Sequence, residues 1–332
     1  MQLKKLWSYH LPLRVPLEMK YGLLEARQGL FFEIRRSDGS RGWGEVAPFP
    51  GLSTDSLQEA QTWLVQNAQD LRPSSAERFP ALAWGLKMAQ DDVFRRELHS
   101  VEIPLNALLT AADPLTLAQE SAAYYAQGYR CFKLKVGFLD LLQDTRRVHA
   151  IFDATASDIQ LRLDANRSWN LPEALARAQA WQDLPFAYIE EPLRDLADLS
   201  VLAQETAWSL VLDESLMAFQ PEHLPWHTLA GIVLKPMLLG AAQTETWIQA
   251  ARARNRTLTL SSVFESAWGL GFLALRAAQL KPVLPAGLDT WRVFSDSFLA
   301  SPFRIQAGAL ILEPKMLDKP LLNTVYLKKI QF

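Results

Sequence analysis

The chain has 332 residues, 49% of them apolar, and its 34 Lys+Arg against 36 Asp+Glu leave a formal charge of −2. At roughly 100 to 200 residues per domain, this length implies two domains or one large barrel with an elaboration. The apolar content argues against disorder, and the near-neutral charge against a nucleic-acid or membrane-surface binder that works through a basic field.

Cys131 is the single cysteine, so an internal disulfide is impossible and a thiolate metal cluster is out of reach, as expected in a reducing compartment. The first ten residues have the basic flank of a signal peptide, but Pro12 and Pro16 interrupt the apolar run that should follow. No stretch approaches the roughly 18 apolar residues of a membrane helix. The expectation is a soluble, cytoplasmic protein whose partner is a small molecule, with the oligomeric state left open.

In chain order, residues 29–36 (GLFFEIRR) and 41–47 (RGWGEVA), separated by Ser37-Asp38-Gly39-Ser40, predict a β-hairpin with an Asp-Gly turn. Two helical patterns follow, one opening near Ser53-Thr54-Asp55 and one over about 79–96. Together they predict a small α+β domain over residues 1–100. From about residue 103, short apolar runs alternate with helical ones: IPLNALL, CFKLKV, IQLRLDAN, AYIEEP, SLVLDES, GIVLKP, TLTLSSVF and AGLDTW. Between the first two, Asp113 and Pro114 supply an N-cap and first-turn proline, and Gly128 a stop. This β-α repeat over 101–292 predicts a (β/α) barrel, with a doubly wound open sheet as the alternative. The tail from 293 to 332 contains a hairpin pattern around Gly308 and is expected to return to the N-terminal domain.

Charge sits in phase with the repeat. In Phe132-Lys133-Leu134-Lys135-Val136 the two lysines share one face of a strand. The same alternation sends Arg162, Asp164 and Asn166 inward from the next strand, and Lys235 inward from a later one. Tyr188-Ile189-Glu190-Glu191 and Val211-Leu212-Asp213-Glu214 each put one acid on either face. Lys135, Asp164, Glu190, Asp213 and Lys235 follow at spacings of 29, 26, 23 and 22 residues, one β-α unit apiece, which predicts the same height on successive strands. Any one such charge is more often a solvated edge or an ion pair. Five in phase, each beside apolar residues, point to a site at the C-terminal strand ends.

Charges inside a barrel are costly unless paired or metal-bound. Three carboxylates from three strands form a hard oxygen site suited to Mg²⁺. A metal gripping a substrate carboxylate, with lysines to either side, suits removal of the proton on the adjacent carbon, because the enediolate carries more negative charge than the ground state. The base must be an uncharged lysine. Free lysine titrates near about 10.4, so a neighbouring ammonium and Mg²⁺ would help to lower it.

These segments resemble the enolase superfamily and, within it, the o-succinylbenzoate synthase family: RGWGEVAPFPGLS at 41–53, KLKVG at 133–137, LRLDANRSW at 161–169, IEEP at 189–192, LDES at 212–215, LKP at 234–236, SSVFES at 261–266 and PAGLDT at 285–290. Enzymes of that superfamily use a lysine or histidine base together with Mg²⁺. The resemblance implies an α/β fold: a (β/α)₇β TIM-like barrel with an α+β capping domain. It also implies a Mg²⁺-dependent syn dehydration of 2-succinyl-6-hydroxy-2,4-cyclohexadiene-1-carboxylate, a step of menaquinone biosynthesis. Asp164, Glu190 and Asp213 would hold the metal. Lys135 would remove the α-proton and return a proton to the departing hydroxide, Lys235 would stabilise the enediolate, and Lys133 would assist the same charge and tune Lys135. Arg162 and Asn166 would orient the inner groups, while Ser262 and the Gly287 backbone would hold substrate oxygens. Loops near residues 25–29 and 48–53 would close over the site.

Three further motifs point elsewhere. Gly269-Leu270-Gly271 matches a permissive dinucleotide fingerprint, but its glycines fall inside a helix instead of the turn that would receive pyrophosphate. His223 and His227 have zinc-like spacing but lack the glutamate and straddle Pro225. Cys131 has no histidine beside it and reads as packing. The rivals to the dehydratase are an N-acylamino acid racemase or dipeptide epimerase of the same superfamily, and a non-catalytic ligand-binding barrel. The epimerase pattern has Asp-x-Asp at the last strand, where this chain has Asp289-Thr290-Trp291.

Overall fold

The computed structural model describes residues 1–19, 22–91, 99–299, 303–313, 320 and 322–332. β1 (Gln2–Met19), β2 (Gly22–Arg35) and β3 (Arg41–Val46) form an antiparallel sheet. The expected hairpin is present, with Arg35 opposite Arg41 and Gly39 at φ +81° in the turn. β1 has no counterpart in the sequence reading. Pro12 borders, and Pro16 lies within, an irregularity between Pro12 and Leu17 where the pairing with β2 is interrupted.

The helix Leu57–Gln66 begins later than expected, at N-cap Ser56, whose hydroxyl and the Glu59 carboxylate form a capping box. Asp55 is buried and turned to the second helix, Pro80–Gln90, accepting from the N–H groups of Ala81 and Leu82 at 3.0 and 3.2 Å. That helix has its C-cap at Asp91. Residues 92–96 of the expected helix lie outside the described residues.

β4 (Val101–Pro104) leads into a seven-stranded, all-parallel, curled sheet: β5 (Asn106–Leu109), β6 (Cys131–Lys135), β7 (Gln160–Asp164), β8 (Phe186–Glu190), β9 (Leu210–Leu212), β10 (Leu229–Leu234) and β11 (Thr257–Leu260), neighbours in chain order. An open doubly wound sheet would reverse its strand order at a switch point, and this one does not. The segment after β11 makes one parallel bridge to each edge, Ala286 with Leu105 and Gly287 with Ser261. The first three intervening helices open on side-chain caps, as Asp113 before Pro114–Ala126 and Asn170 with Glu173 before Leu171–Ala180. The apolar residues of alternate strand positions, such as Phe132, Leu134, Leu161, Leu163 and Ile189, are wholly buried in the core.

The tail divides. β12 (Phe303–Gln306) and β13 (Ala309–Leu312) make the expected hairpin around Gly308, and β13 pairs with β4. β14 (Leu327–Lys329) instead pairs with β1 of the N-terminal sheet. Aromatic packing joins the two halves: Phe31 stacks on Trp43 at 5.5 Å and meets the edge of Trp268, on the helix Ala267–Gln279, at 5.6 Å. No described helix is long and apolar enough to cross a membrane.

Candidate active site

In a parallel sheet, residues in register point to the same side, so the charged residues of β6–β10 share the concave interior. Lys135 pairs with Asp164 and Asp164 with Glu190. Beyond that the expectation of equal height fails. Glu190 pairs with Val211, so Asp213 stands two residues further along, and Lys235 is displaced in turn because Ile232 pairs with Leu212. A two-residue stagger preserves the facing side, and it is the shear that lets a tilted sheet curl. Beneath the charged layer lie Arg162, Tyr188, Val211 and Val233, the last three forming a small buried apolar floor.

The lysines bind the acids. Lys133 Nζ donates to Glu190 Oε1 at 2.7 Å and lies 2.9 Å from Asp164 Oδ2. Lys135 Nζ donates to Asp164 Oδ2 at 2.7 Å and to Asn166 Oδ1 at 2.5 Å. Lys235 Nζ donates to Asp213 Oδ2. Lys135 has the most open of the three lysine side chains, 30% exposed against 11% for Lys133 and 18% for Lys235, so its amine is the one a ligand reaches first.

Burial by itself disfavours the Lys133 ammonium, but Asp164 and Glu190 outweigh it and hold Lys133 charged, well above its ordinary value. Asp213 does the same for Lys235. Burial pushes Asp164 up, yet Lys133 and Lys135 prevail and hold it well below the carboxylate range. Glu190 goes the other way. Burial and the neighbouring Asp164 raise it well above that range, and its Oε2 has no hydrogen-bond partner. An orphaned, buried carboxylate oxygen beside two further acids leaves an oxygen donor open, and a hard oxygen donor set of this kind fits a divalent cation. Among the described residues no three His, Cys, Asp or Glu side chains converge closely enough to hold an ion as they stand, because the ammonium groups lie between the acids.

The remaining expected residues have distinct places. Asn166, at φ +44°, donates from Nδ2 to Glu214 Oε1 at 3.3 Å while accepting from Lys135, so it fixes the direction of that amine. Arg162 is buried in the floor. Its Nη1 donates to Asn106 Oδ1 and the Pro285 carbonyl, and its guanidinium lies 4.9 Å from the centre of the Tyr188 ring. Ser262 Oγ lies 3.1 Å from the Gly287 carbonyl and 2.6 Å from Thr290 Oγ1. The Gly287 N–H is engaged by the Leu260 carbonyl.

The competing motifs resolve physically. The N-terminus of the helix Ala267–Gln279, where a dinucleotide phosphate would sit, holds the carboxylate of Glu45 from β3. Glu45 accepts from Ser266 N–H at 2.8 Å, Ser266 Oγ at 2.7 Å and Gly269 N–H at 2.9 Å. A Cβ on Gly269 would lie 2.7 Å from Glu45 Oε2, which accounts for the glycine. His223 and His227 are exposed on two separate 3₁₀ turns. Cys131 is buried, and that burial raises its thiol.

Sequence reasoning missed Glu191. At φ +44° and wholly buried, it turns away from the interior and accepts from the N–H groups of Asp213 and Ser215, both at 2.7 Å, and from Ser215 Oγ. The end of β8 thereby fixes the backbone that carries Asp213. The signal available in sequence was the second acid of Glu190-Glu191, which strand alternation sends outward into an apolar layer where it needs partners.

Residues 116–314 match the family model described as enolase C-terminal domain-like, and residues 1–93 match the MenC N-terminal domain. The chain is 32% identical to an o-succinylbenzoate synthase of Klebsiella pneumoniae (strain 342) over 89% of this chain and 92% of that one. Among solved structures it is similar to a mandelate racemase/muconate lactonizing protein from Herpetosiphon aurantiacus, with TM-score 0.82 and 23% identity, covering 97% and 99% of the two chains. It is also similar to a dipeptide epimerase from Cytophaga hutchinsonii complexed with Mg and a dipeptide, with TM-score 0.80 and 19% identity over 99% of each. At these identities the two structures speak for the enolase-like α/β fold alone.

Proposed function

Because the chain belongs to the o-succinylbenzoate synthase family of the enolase superfamily, we propose that it is a lyase that dehydrates 2-succinyl-6-hydroxy-2,4-cyclohexadiene-1-carboxylate to 2-succinylbenzoate in menaquinone biosynthesis. The observation that carries the reading is the alignment of Lys133, Lys135 and Lys235 against Asp164, Glu190 and Asp213 on consecutive strands. The two bridges of Ala286 and Gly287 support reading the curled sheet as a closed (β/α)₇β barrel. Residues 1–100, with β14 of the tail, then form its cap, while the β12–β13 hairpin stays with β4.

Asp164, Glu190 and Asp213 would hold Mg²⁺, which supplies positive charge to the substrate carboxylate when bound. Lys135, the most open of the three lysines, removes the α-proton as the neutral amine, and Asn166 and Asp164 aim its Nζ. The electrons move into the carboxylate to give an enediolate, whose negative charge Lys235 and Lys133 stabilise from opposite sides. Collapse of the enediolate expels hydroxide from the ring, and the proton held on Lys135 leaves with it as water. A single base serving both transfers makes the elimination syn, and aromatisation drives it.

The isomerase alternative shares the lysines. Against an epimerase stands Asp289, which would receive an amino group. Its carboxylate is occupied by Arg292 Nε at 2.8 Å and by the Tyr129 hydroxyl at 3.0 Å. The filled set of charges also argues against a non-catalytic binding barrel. The test is to incubate the purified chain with the cyclohexadiene and Mg²⁺ and identify the product by mass spectrometry. Formation of 2-succinylbenzoate is expected. No dehydration, with exchange of the α-proton of N-succinyl amino acids in heavy water, would favour the isomerase instead.

A further inference from the structure

The loop at residues 261–266, which carries Ser262, follows β11, and its backbone is held by two different bodies. Ser261 N–H donates to the Leu234 carbonyl and Ser262 N–H to the Gly287 carbonyl, so the parallel sheet accounts for the first two amides. After that the sheet no longer reaches. Val263 N–H is taken by Glu265 Oε2 at 2.6 Å. The Phe264 carbonyl accepts from Arg27 Nε at 3.2 Å, and Ser266 and Gly269 donate to Glu45. Both Arg27 and Glu45 belong to the N-terminal sheet.

Arg27 is 1% exposed. Its two terminal nitrogens donate to the carbonyls of Pro48 and Ala47 at 3.1 and 2.7 Å, and its guanidinium lies 5.0 Å from the centre of the Phe49 ring. That ring in turn packs 6.0 Å from Phe264. Tyr9, Glu265 and Glu45 are the neighbouring groups that favour its charged form against burial. Phe264 sits at φ +62°, a conformation that a bulky residue adopts only when its surroundings impose it. A buried guanidinium spanning three carbonyls on two segments is a costly arrangement for packing alone.

We propose that Arg27 and Glu45 are positioning residues: from the N-terminal sheet they impose the strained conformation of residues 261–266 that presents Ser262 to the substrate, and join the 47–49 segment to it. The proposal rests on the dehydratase reading, in which this loop contacts substrate oxygens. Among the described residues, neither Arg27 nor Glu45 hydrogen-bonds a lysine or acid of the metal layer, so metal binding and the chemical step stand apart from their role.

The test compares wild type with Arg27→Met and Glu45→Gln. KM for the cyclohexadiene should rise about tenfold or more, as misplacement of a positioning group predicts. Loss of binding shared by ground and transition states leaves kcat nearly unchanged. Mg²⁺ affinity by calorimetry should match wild type. Hydrogen exchange at the amides of Val263, Ser266 and Gly269 should accelerate while that of β6 and β7 does not. Wild-type KM with wild-type exchange in a folded Arg27→Met would overturn the proposal, as would a fall in kcat at constant KM. Should the wild-type chain fail to dehydrate the substrate, the dehydratase reading falls, and the exchange pattern alone decides whether the two residues hold the loop. If Arg27→Met does not fold, Glu45→Gln, which keeps the side-chain shape and one acceptor oxygen, is read by the same criteria.

Discussion

Lys135 Nζ and Asp164 Oδ2 lie 2.7 Å apart, on residues in register across β6 and β7. The contact joins the expected base to an expected metal ligand, and Asn166 completes the amine's cradle. Replacing Lys135 by Ala should lower kcat by about 10² to 10⁴ or more, the range for losing a general base. Circular dichroism should remain that of the wild type.

Glu191 holds the backbone of Asp213, a proposed metal ligand, and of Ser215. Glu191→Ala leaves those amides without their acceptor and should weaken Mg²⁺ binding by about 10-fold to 100-fold, as the loss of groups that orient metal ligands does. Glu191→Gln retains an acceptor oxygen and should bind Mg²⁺ nearly as well as the wild type. Titration calorimetry separates the two outcomes.

Glu265 is wholly buried. Burial and the neighbouring Glu45 raise its carboxyl to about 7 from an ordinary value of 4.5. The folded state therefore holds the proton more tightly than the unfolded state. The stabilisation is fully present below the unfolded value and is lost as pH rises from about 4.5 to about 7. Its size is on the order of 3 kcal/mol at most, by the conversion of a pKa shift to free energy. Glu265→Gln should remove this component, so urea denaturation at pH 5 and pH 8 should differ less for the variant than for the wild type.

Gly269 admits the carboxylate of Glu45 to a helix N-terminus, and an added Cβ would also meet the Glu265 Cβ at 2.6 Å. Gly269→Ala should cost about 1 to 3 kcal/mol, as overpacking of a filled site does. Its melting temperature should fall with no change in nucleotide binding, since neither form is expected to bind NAD.

The charged layer was legible because two periods coincide in it: alternation along a strand fixes the facing side, and the β-α repeat fixes the strand. The stagger that lifts Asp213 and Lys235 was not legible, since register between parallel strands joined by helices depends on the curl of the whole sheet. β1 escaped notice because Pro12 and Pro16 break its alternation, and only its irregular pairing with β2 absorbs them. Asp55 read as the start of its own helix but serves the next one. Arg27 and Glu45 could not be assigned from spacing at all. Their partners lie 237 and 221 residues away, at Phe264 and Ser266.

The central claim is that Lys135 carries the proton both ways during an aromatising dehydration. Stopped-flow absorbance tests it directly: wild type and Lys135→Ala, each with Mg²⁺ and the cyclohexadiene carboxylate, are followed for appearance of the aromatic product. Rapid conversion by the wild type and none above background by the folded variant is the predicted result. Conversion by Lys135→Ala at a rate near that of the wild type would contradict it.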